Sequence, residues 1–428
     1  RRPLGSASDG DRAQPAALNA RGAAAVGDKE QSPMGLPLEG IRVVDLGQIF
    51  AAPYCTLQLA QMGAEIIKIE PPGTGESLRR AESSPGGVGY SFLMLNANKR
   101  SVTLNLKHPR GREIVLRIIE RADVLVENYS AGVMESFDLG YENLRARFPR
   151  LVYASAKGYA SNGPWARLGA MDSTVQASSG FMSVTGYPDR SGVKTPVTFI
   201  DMGTGSHLVS GILAALLQRE RNGRGQKVEV AMLDVCVPAL IGLVADQLQG
   251  RNPERLGNRH RNACPSDVYP AADGEILIFC LTEAHWRMLA RSMGREELIG
   301  DPHFKNHAAR LDNVEEVDRA VMGWTRGRRR DELIALLIAT GVPSAPVRTI
   351  EELMADPEVA RGGMLLDSEF PTRGAIKIAG SPIKLSEAPQ PAGPRMRPPM
   401  LGEHTVEVLA SVGIDAAEFE RLRADGVV

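Results

Sequence analysis

The stretch Ile41-Arg-Val-Val-Asp-Leu-Gly-Gln-Ile-Phe-Ala-Ala-Pro-Tyr-Cys-Thr-Leu-Gln-Leu-Ala-Gln-Met-Gly-Ala-Glu-Ile-Ile-Lys-Ile69 decides the fold. Two short β-branched runs, Ile41 to Leu46 and Ala64 to Ile69, read as strands. Between them Tyr54 to Met62 has helical spacing, with Pro53 suited to its first turn and Gly63 ending it. A strand, a helix and a second strand within thirty residues predict a βαβ unit, which implies parallel pairing. Outward from it the alternation continues. A Gly- and Pro-rich loop covers Pro71 to about Gly89. Then come a strand at Ser101–Leu106, a helix at Pro109–Arg121 and a strand at Asp123–Glu127. Helical stretches around Val133 and Glu142 lead to a strand at Leu151–Ser155. The expected fold class is α/β, a doubly wound, mostly parallel sheet in a large domain.

The second half has another rhythm. Gly205 to Arg221 predicts an amphipathic helix closed by Asn222-Gly223, followed by a strand at Lys227–Met232 and one long helix at Asp234–Gln249. The polar connector Gly250–Asp267 marks a boundary. Beyond it a strand at Glu275–Leu281 and helices at Glu283–Ser292, Val314–Trp324 and Asp331–Ala339 predict a smaller α+β domain. Pro389–Pro399 reads as a linker before two short helices, His404–Ser411 and Ala416–Arg423. The expected organisation is a tail at 1–36, a large unit at 37–249, connector and small domain at 250–388, and linker and helices at 389–428. At 428 residues the chain is long enough for two or three such units.

Composition narrows the function. Fifty Lys and Arg face 51 Asp and Glu, a balance that argues against bulk polyanion binding and so against nucleic acid as a partner. Four scattered cysteines, 55, 236, 264 and 280, form no CxxC pair and fit a reducing, cytoplasmic setting. The most apolar stretch, Val230–Ala245, is broken by Asp234 and Pro238, so no membrane partner is expected. Arg1 to about Pro33 lacks aromatics and isoleucine and reads as a disordered tail upstream of a start near Met34.

Familiar motifs are missing: no GxxxxGK[ST] loop, no GxSxG elbow and no HExxH. Gly73-Thr-Gly-Glu-Ser and Gly203-Thr-Gly-Ser-His both fail GxGxxG at the third glycine. His303 and His307 stand four apart without a carboxylate at metal-ligand spacing, and Arg326–Arg330 reads as a solvated charge run. Two acids remain. Asp201, in Phe199-Ile-Asp-Met-Gly-Thr-Gly-Ser-His, lies just before a glycine-rich helix start, where a carboxylate either caps the helix or serves as a reactive group among free N–H donors. Asp172, in Met171-Asp-Ser-Thr-Val, has the same two readings. The residues alone leave both open.

Six segments in order resemble the family III CoA transferases: Pro37-Leu-Glu-Gly-Ile-Arg-Val-Val-Asp-Leu46, Leu59–Glu70, Asn96-Ala-Asn-Lys-Arg-Ser101, Asp123-Val-Leu-Val-Glu-Asn128, Gly223-Arg-Gly-Gln-Lys-Val228 and Leu401-Gly-Glu-His-Thr405. The resemblance runs from Pro37 to Val428. It implies that Asp201 is a nucleophile passing through aspartyl anhydride and aspartyl-CoA intermediates, with a CoA thioester as substrate, no permanently bound cofactor and no metal. Glycine-rich backbone at Gly203 and Gly205 is one expected source of oxyanion donors, and Gly257-Asn-Arg-His260 stands where the family has a mobile glycine loop. By match to the family, Leu104 and Lys107 in the third strand, Asn128, Tyr129, Ser130 and Met232 contact CoA, while Ile49, Phe50 and Ala51 line the reacting end. Phe50 stands in place of a glutamine of formyl-CoA transferase, and Pro71 and Ser136 in place of arginines, for which Arg79, Arg80 or Arg100 are expected substitutes. The family also implies an interlocked homodimer with the C-terminal helices returning to the large domain. Two alternatives stay beside it. One is a racemase on the same fold, whose His-Asp dipeptide is matched here by Met171-Asp172; the other is a non-catalytic acyl-CoA-binding protein. The acids transferred are open, with succinate-type dicarboxylates one expectation.

Overall fold

The computed structural model describes residues 35–81, 87–388 and 396–428. The expectations for residues 1–34, and most of the 389–399 linker, lie outside the described residues. The βαβ reading of the opening stretch is found as β1 (Arg42–Asp45), α1 (Ala51–Gln61) and β2 (Glu65–Glu70), followed by α2 (Tyr90–Leu95), β3 (Lys99–Thr103), α3 (Pro109–Ile119) and β4 (Val124–Glu127). Then come α4 (Val133–Ser136), α5 (Tyr141–Arg147), β5 (Val152–Lys157), α6 (Asp172–Ser178), α7 (Phe181–Val184), α8 (Phe199–Asn222) and β6 (Lys227–Ala231).

The six strands form one sheet in the order β3-β2-β1-β4-β5-β6, every pair parallel. β4 is buried along its whole length and β1 along most of it. Their near-continuous Val and Leu runs suit a sheet covered on both faces. One face packs α3 with Ile114, Val115 and Ile118; the other packs α1 and α8 with Leu59, Leu208 and Ile212. By length and hydropathy alone α8 could cross a membrane, yet its apolar side is spent in this core.

Strand order reverses between β1 and β4. At such a switch point the loops leaving the two carboxyl ends diverge and open a crevice, the usual ligand site of an open α/β sheet. Here those loops are Gly47–Phe50 and Asn128–Ser130.

The chain continues through α9 (Met232–Ala239), α10 (Ile241–Leu248), β7 (Ser266–Ala271), β8 (Gly274–Phe279), α11 (Glu283–Ser292), α12 (His307–Asp312), α13 (Val314–Thr325), α14 (Arg330–Thr340), β9 (Ser344–Pro346), α15 (Ile350–Met354), α16 (Pro357–Arg361), β10 (Leu365–Phe370), β11 (Gly374–Ala379), α17 (Thr405–Ser411) and α18 (Ala416–Ala424). The antiparallel sheet β7-β8-β9 and helices α11, α13 and α14 share a core around Trp286, Val321 and Leu337. The β10–β11 hairpin lays Phe370, Ile376 and Ile378 against Phe92 and Leu93 of α2. α17 and α18 add Val408, Leu409 and Leu422 to the α3 face of the large sheet.

Four expectations need correction. The long helix at 234–249 is two helices: α9 runs through Pro238 to Ala239, and the chain turns at Leu240 (φ −94°, ψ 12°) before α10. β3 ends at Thr103, so Leu104 and Lys107 sit in the loop after the strand. Both α2 and the β10–β11 hairpin were unforeseen. Finally, α8 begins at Phe199, six residues before the expected start, and its glycines lie inside it. Gly205 is there for contact: a Cβ on it would stand 2.6 Å from the Ala51 carbonyl oxygen of α1.

Candidate active site

The crevice at the switch point holds two adjoining cavities. The first, about 530 Å³, is bounded by Pro71, Pro72 and Thr74 after β2, by Leu104, Asn105 and Lys107 after β3, and by Phe137 and Gly426. The second, about 260 Å³, is bounded by Ile49, Phe50 and Ala51, by Asn128 and Ser130, and by Lys157, Met171, Met232 and Asp201. Gln48 and Tyr129 line both and form the wall between them. Of the catalytic and CoA-contact residues singled out in the sequence, all but Asp172 border one cavity or the other.

The two loops of the switch point are fastened to one another. Gln48 donates its N–H to the Asn128 side-chain oxygen at 2.8 Å, and the Asn128 amide nitrogen donates back to the Gln48 carbonyl at 2.8 Å. Ile49 then takes a left-handed φ of 64°, a conformation that costs a β-branched residue energy and is held only where the surroundings dictate it. The surroundings include a buried ammonium. Lys68 donates to the Gly47 carbonyl at 2.7 Å and pairs with Glu76 at 2.7 Å. Burial alone would lower its pKa, but Asp45, Glu76 and Glu70 outweigh burial and raise it. Beside it Lys99 pairs with Asp45 at 3.1 Å, and here burial wins, bringing its pKa down to about 8. Arg79 closes the network on Glu70 at 2.7 Å and stacks over Phe92 at 3.8 Å. Arg79 is thus committed to the interior, and Arg100 to Glu65 and Glu407. Neither lines the first cavity. Among the described wall residues of the first cavity, the cation is Lys107.

Asp201 is the third residue of α8, and the helix has no side-chain cap from its own N-terminus. The cap comes from outside. The Asp172 carboxylate accepts the N–H of Ile200 at 2.8 Å and of Asp201 at 3.2 Å through one oxygen, and the Gln176 amide at 2.6 Å through the other. So the capping reading is wrong for Asp201 and right for Asp172, though the helix Asp172 caps is not its own. Asp201 is left with its carboxylate on the second cavity. Burial first, then the charge of Asp172, pushes its pKa up to about 7. Gly203 and Gly205 lie past the first turn, so their N–H groups belong to the helical ladder and are not the expected oxyanion donors. Ala51 lines the cavity at the start of α1, where its N–H has no acceptor within the helix.

Sequence reasoning did not single out Gln48, Asn105, Phe137, Lys157 or Gly426. Lys157 ends β5 and bonds the Glu127 carboxylate at 2.9 Å. Tyr129 meets Phe137 edge-to-face with centroids 6.4 Å apart, forming an aromatic corner of the first cavity. None of these carries a local sequence signal; the topology alone gathers them. Among the described residues no group of three His, Cys, Asp or Glu is placed to hold a metal ion.

A half-buried carboxylate of raised pKa beside a divided crevice, at the switch point of an open α/β sheet, marks a candidate ligand site. Comparison with known proteins identifies the family. The model of CoA-transferase family III matches residues 38–405. The chain is 38% identical over 389 residues to a succinyl-CoA:mesaconate CoA-transferase of Haloarcula hispanica, covering 88% of this chain and 96% of that one. It is 34% identical to a formyl-CoA:oxalate CoA-transferase of Streptomyces avermitilis, covering 91% and 99%. A crystal structure of a CaiB/BaiF family protein from Brucella suis superposes with a TM-score of 0.80 at 33% identity, covering 89% and 100%. The chain belongs to family III of the CoA-transferases and is a CoA-transferase.

Proposed function

We propose that this enzyme moves CoA from an acyl-CoA donor to a free carboxylic acid with Asp201 as the covalent relay. The observation that carries the reading is the Asp201 carboxylate, free of side-chain partners among the described residues, facing the smaller cavity. An ionised Asp201 oxygen attacks the thioester carbonyl, the C–S bond breaks, and the thiolate leaves with the electron pair, giving a mixed anhydride. The thiolate attacks the aspartyl carbonyl and releases the donor acid, leaving an aspartyl-CoA thioester. The acceptor carboxylate repeats the sequence in reverse and frees Asp201. Each step exchanges one activated acyl for another, so no proton, redox partner or permanent cofactor is required. The Ala51 N–H at the start of α1 suits the oxyanion formed at each attack.

In this reading the larger cavity takes the nucleotide end of CoA. Lys107 meets phosphate, Leu104 and the Tyr129–Phe137 corner flank the base, and the pantetheine arm passes Gln48, Tyr129 and Asn128 to Met232 and the thiol. Asp172 is a positioning residue, holding the α8 N-terminus so that Asp201 stays aimed at the crevice. Racemisation needs a proton carrier on each face of the α-carbon. The thioether of Met171 carries none, and both oxygens of Asp172 are turned away and occupied. The buried free thiols suit a cytoplasmic enzyme. An apolar stripe along α9 and α10, with Val237, Ile241 and Leu248 exposed at 57%, 71% and 83%, suits a homodimer.

Asp201→Asn and Asp201→Ala should abolish transfer while CoA still binds. Normal turnover by either variant would refute the relay.

A further inference from the structure

Resting on the reading that the larger cavity takes the nucleotide end of CoA, we infer that His404 and Thr405 are positioning residues for that end. Together they clasp the edge of the large sheet beside Lys107. β3 is the outermost strand on its side of the sheet, so alternate N–H groups along it point away from β2 and need another acceptor. At Ser101, Thr103 and Asn105 the C-terminal segment supplies it. Ser101 donates its N–H to His404 Nδ1 at 3.2 Å, Thr103 to Thr405 Oγ1 at 3.0 Å and Asn105 to the Val427 carbonyl at 2.8 Å. Burial lowers the His404 pKa, which keeps its acceptor nitrogen free of a proton. The His404 N–H returns to the Ser101 carbonyl at 2.9 Å, and Gly402 donates to the Ser101 hydroxyl at 2.9 Å. Two of the three acceptors are side chains, so the register of the clasp rests on His404 and Thr405 in particular.

The clasp ends at the cavity. Asn105 lies just past the end of β3, and its side chain ties the loop together. Its Oδ1 accepts the Lys107 N–H at 3.1 Å, and its Nδ2 donates to the Gly426 carbonyl at 3.3 Å. Leu104, Asn105, Lys107 and Gly426 all line the larger cavity. The loop that carries Lys107 is therefore held from the C-terminal segment at two points, Thr405 on Thr103 and the Gly426–Val427 turn on Asn105. A contact made by one lysine on a loop is only as well placed as the loop itself. The run Leu401-Gly-Glu-His-Thr405 thereby acquires a part in substrate binding, although none of its side chains lines the cavity.

The test is the affinity of the full-length enzyme for free CoA, measured by isothermal titration calorimetry. Lys107→Ala should raise Kd about tenfold or more, the size of a hydrogen bond to a charged group, and Thr405→Val and His404→Ala about fivefold each. Thr405→Ser and His404→Asn keep an acceptor in place and should stay within about twofold of wild type. The decisive variant combines Thr405→Val with Lys107→Ala. Because the clasp acts through Lys107, the pair should bind within about twofold of Lys107→Ala alone, whereas independent effects would multiply. Melting temperatures are followed alongside. His404 is only half-buried, so His404→Ala carries the same cycle if Thr405→Val does not fold. Wild-type affinity in His404→Ala and Thr405→Val, an equal loss in Thr405→Ser, or multiplied effects in the double variant would overturn the clasp. Unchanged affinity in Lys107→Ala would instead sink the nucleotide reading of the cavity on which it rests.

Discussion

A carboxylate that accepts two N–H groups from the start of another helix, as Asp172 does from Ile200 and Asp201, fixes that helix and biases its neighbour toward the protonated form. The consequence for Asp201 is a pKa near 7, raised by burial and by Asp172. Attack needs the ionised oxygen, so kcat/KM should rise with pH and level off above about 7. Asp172→Asn keeps an acceptor oxygen but removes the charge; it should preserve the fold and move that midpoint down. Asp172→Ala leaves the N–H groups unpaired and should cost about 1–2 kcal/mol in addition. An unmoved pH profile in Asp172→Asn would show that the charge has no part in tuning the nucleophile. Stability carries the opposite sign. The folded pKa of Asp201 lies above the usual carboxylate value of 3.8, so the group stabilises the fold below that pH and the contribution is lost as pH rises through 7. Asp201→Asn should therefore raise Tm at pH 8 by a few degrees and leave it unchanged at pH 4. A lower Tm at pH 8 would contradict the burial of that charge.

At the scale of elements, the contact between α8 and α1 decides whether Asp201 and the Ala51 N–H face one cavity. A methyl on Gly205 would press on the Ala51 carbonyl oxygen at 2.6 Å, and backbone does not yield easily. Gly205→Ala should cost about 1–3 kcal/mol in denaturant unfolding and lower kcat more than it raises KM. Loss of neither would mean the helices reseat freely. The Lys68 strut below the Gly47–Phe50 loop is a second such element. Lys68→Met leaves Glu76 buried without its cation, while Asp45 keeps Lys99, and should cost about 3–5 kcal/mol. These elements explain what the sequence discloses and what it hides. The run Ile41–Ile69 announces β1, α1 and β2 because a period of two gives way to 3.6 and back, with Gly63 between. The start of α8 is hidden because Gly203 and Gly205 look like a loop when their close neighbours, Val235 and Ala51, are distant in sequence. For the same reason Asp201 read as a residue before the helix, and its actual cap, 29 residues earlier, had no local sign. The resemblance to the family pointed to Asp201, Lys107 and Tyr129. It did not disclose Gln48 or Lys157, which topology brings to the crevice, nor that Arg79 and Arg100 are already paired.

For the whole molecule, the reversal of strand order between β1 and β4 places the crevice, and every proposed contact with CoA follows from the loops it separates. The stripe on α9 and α10 is exposed and is the surface proposed above for a homodimer. Sedimentation should give twice the 46.1 kDa of one chain, and the double variant Ile241→Asp with Leu248→Glu should shift it toward the monomer. A wild-type monomer would remove this interface. The central claim is that Asp201 becomes covalently acylated, and hydroxylamine trapping addresses it most directly. The enzyme is incubated with an acyl-CoA donor alone, treated with neutral hydroxylamine, digested and mapped by mass spectrometry. The expected result is a hydroxamate at Asp201, absent without donor and absent in Asp201→Asn. Undiminished transfer with Asp201 unmodified, or a hydroxamate at another carboxylate, would contradict it.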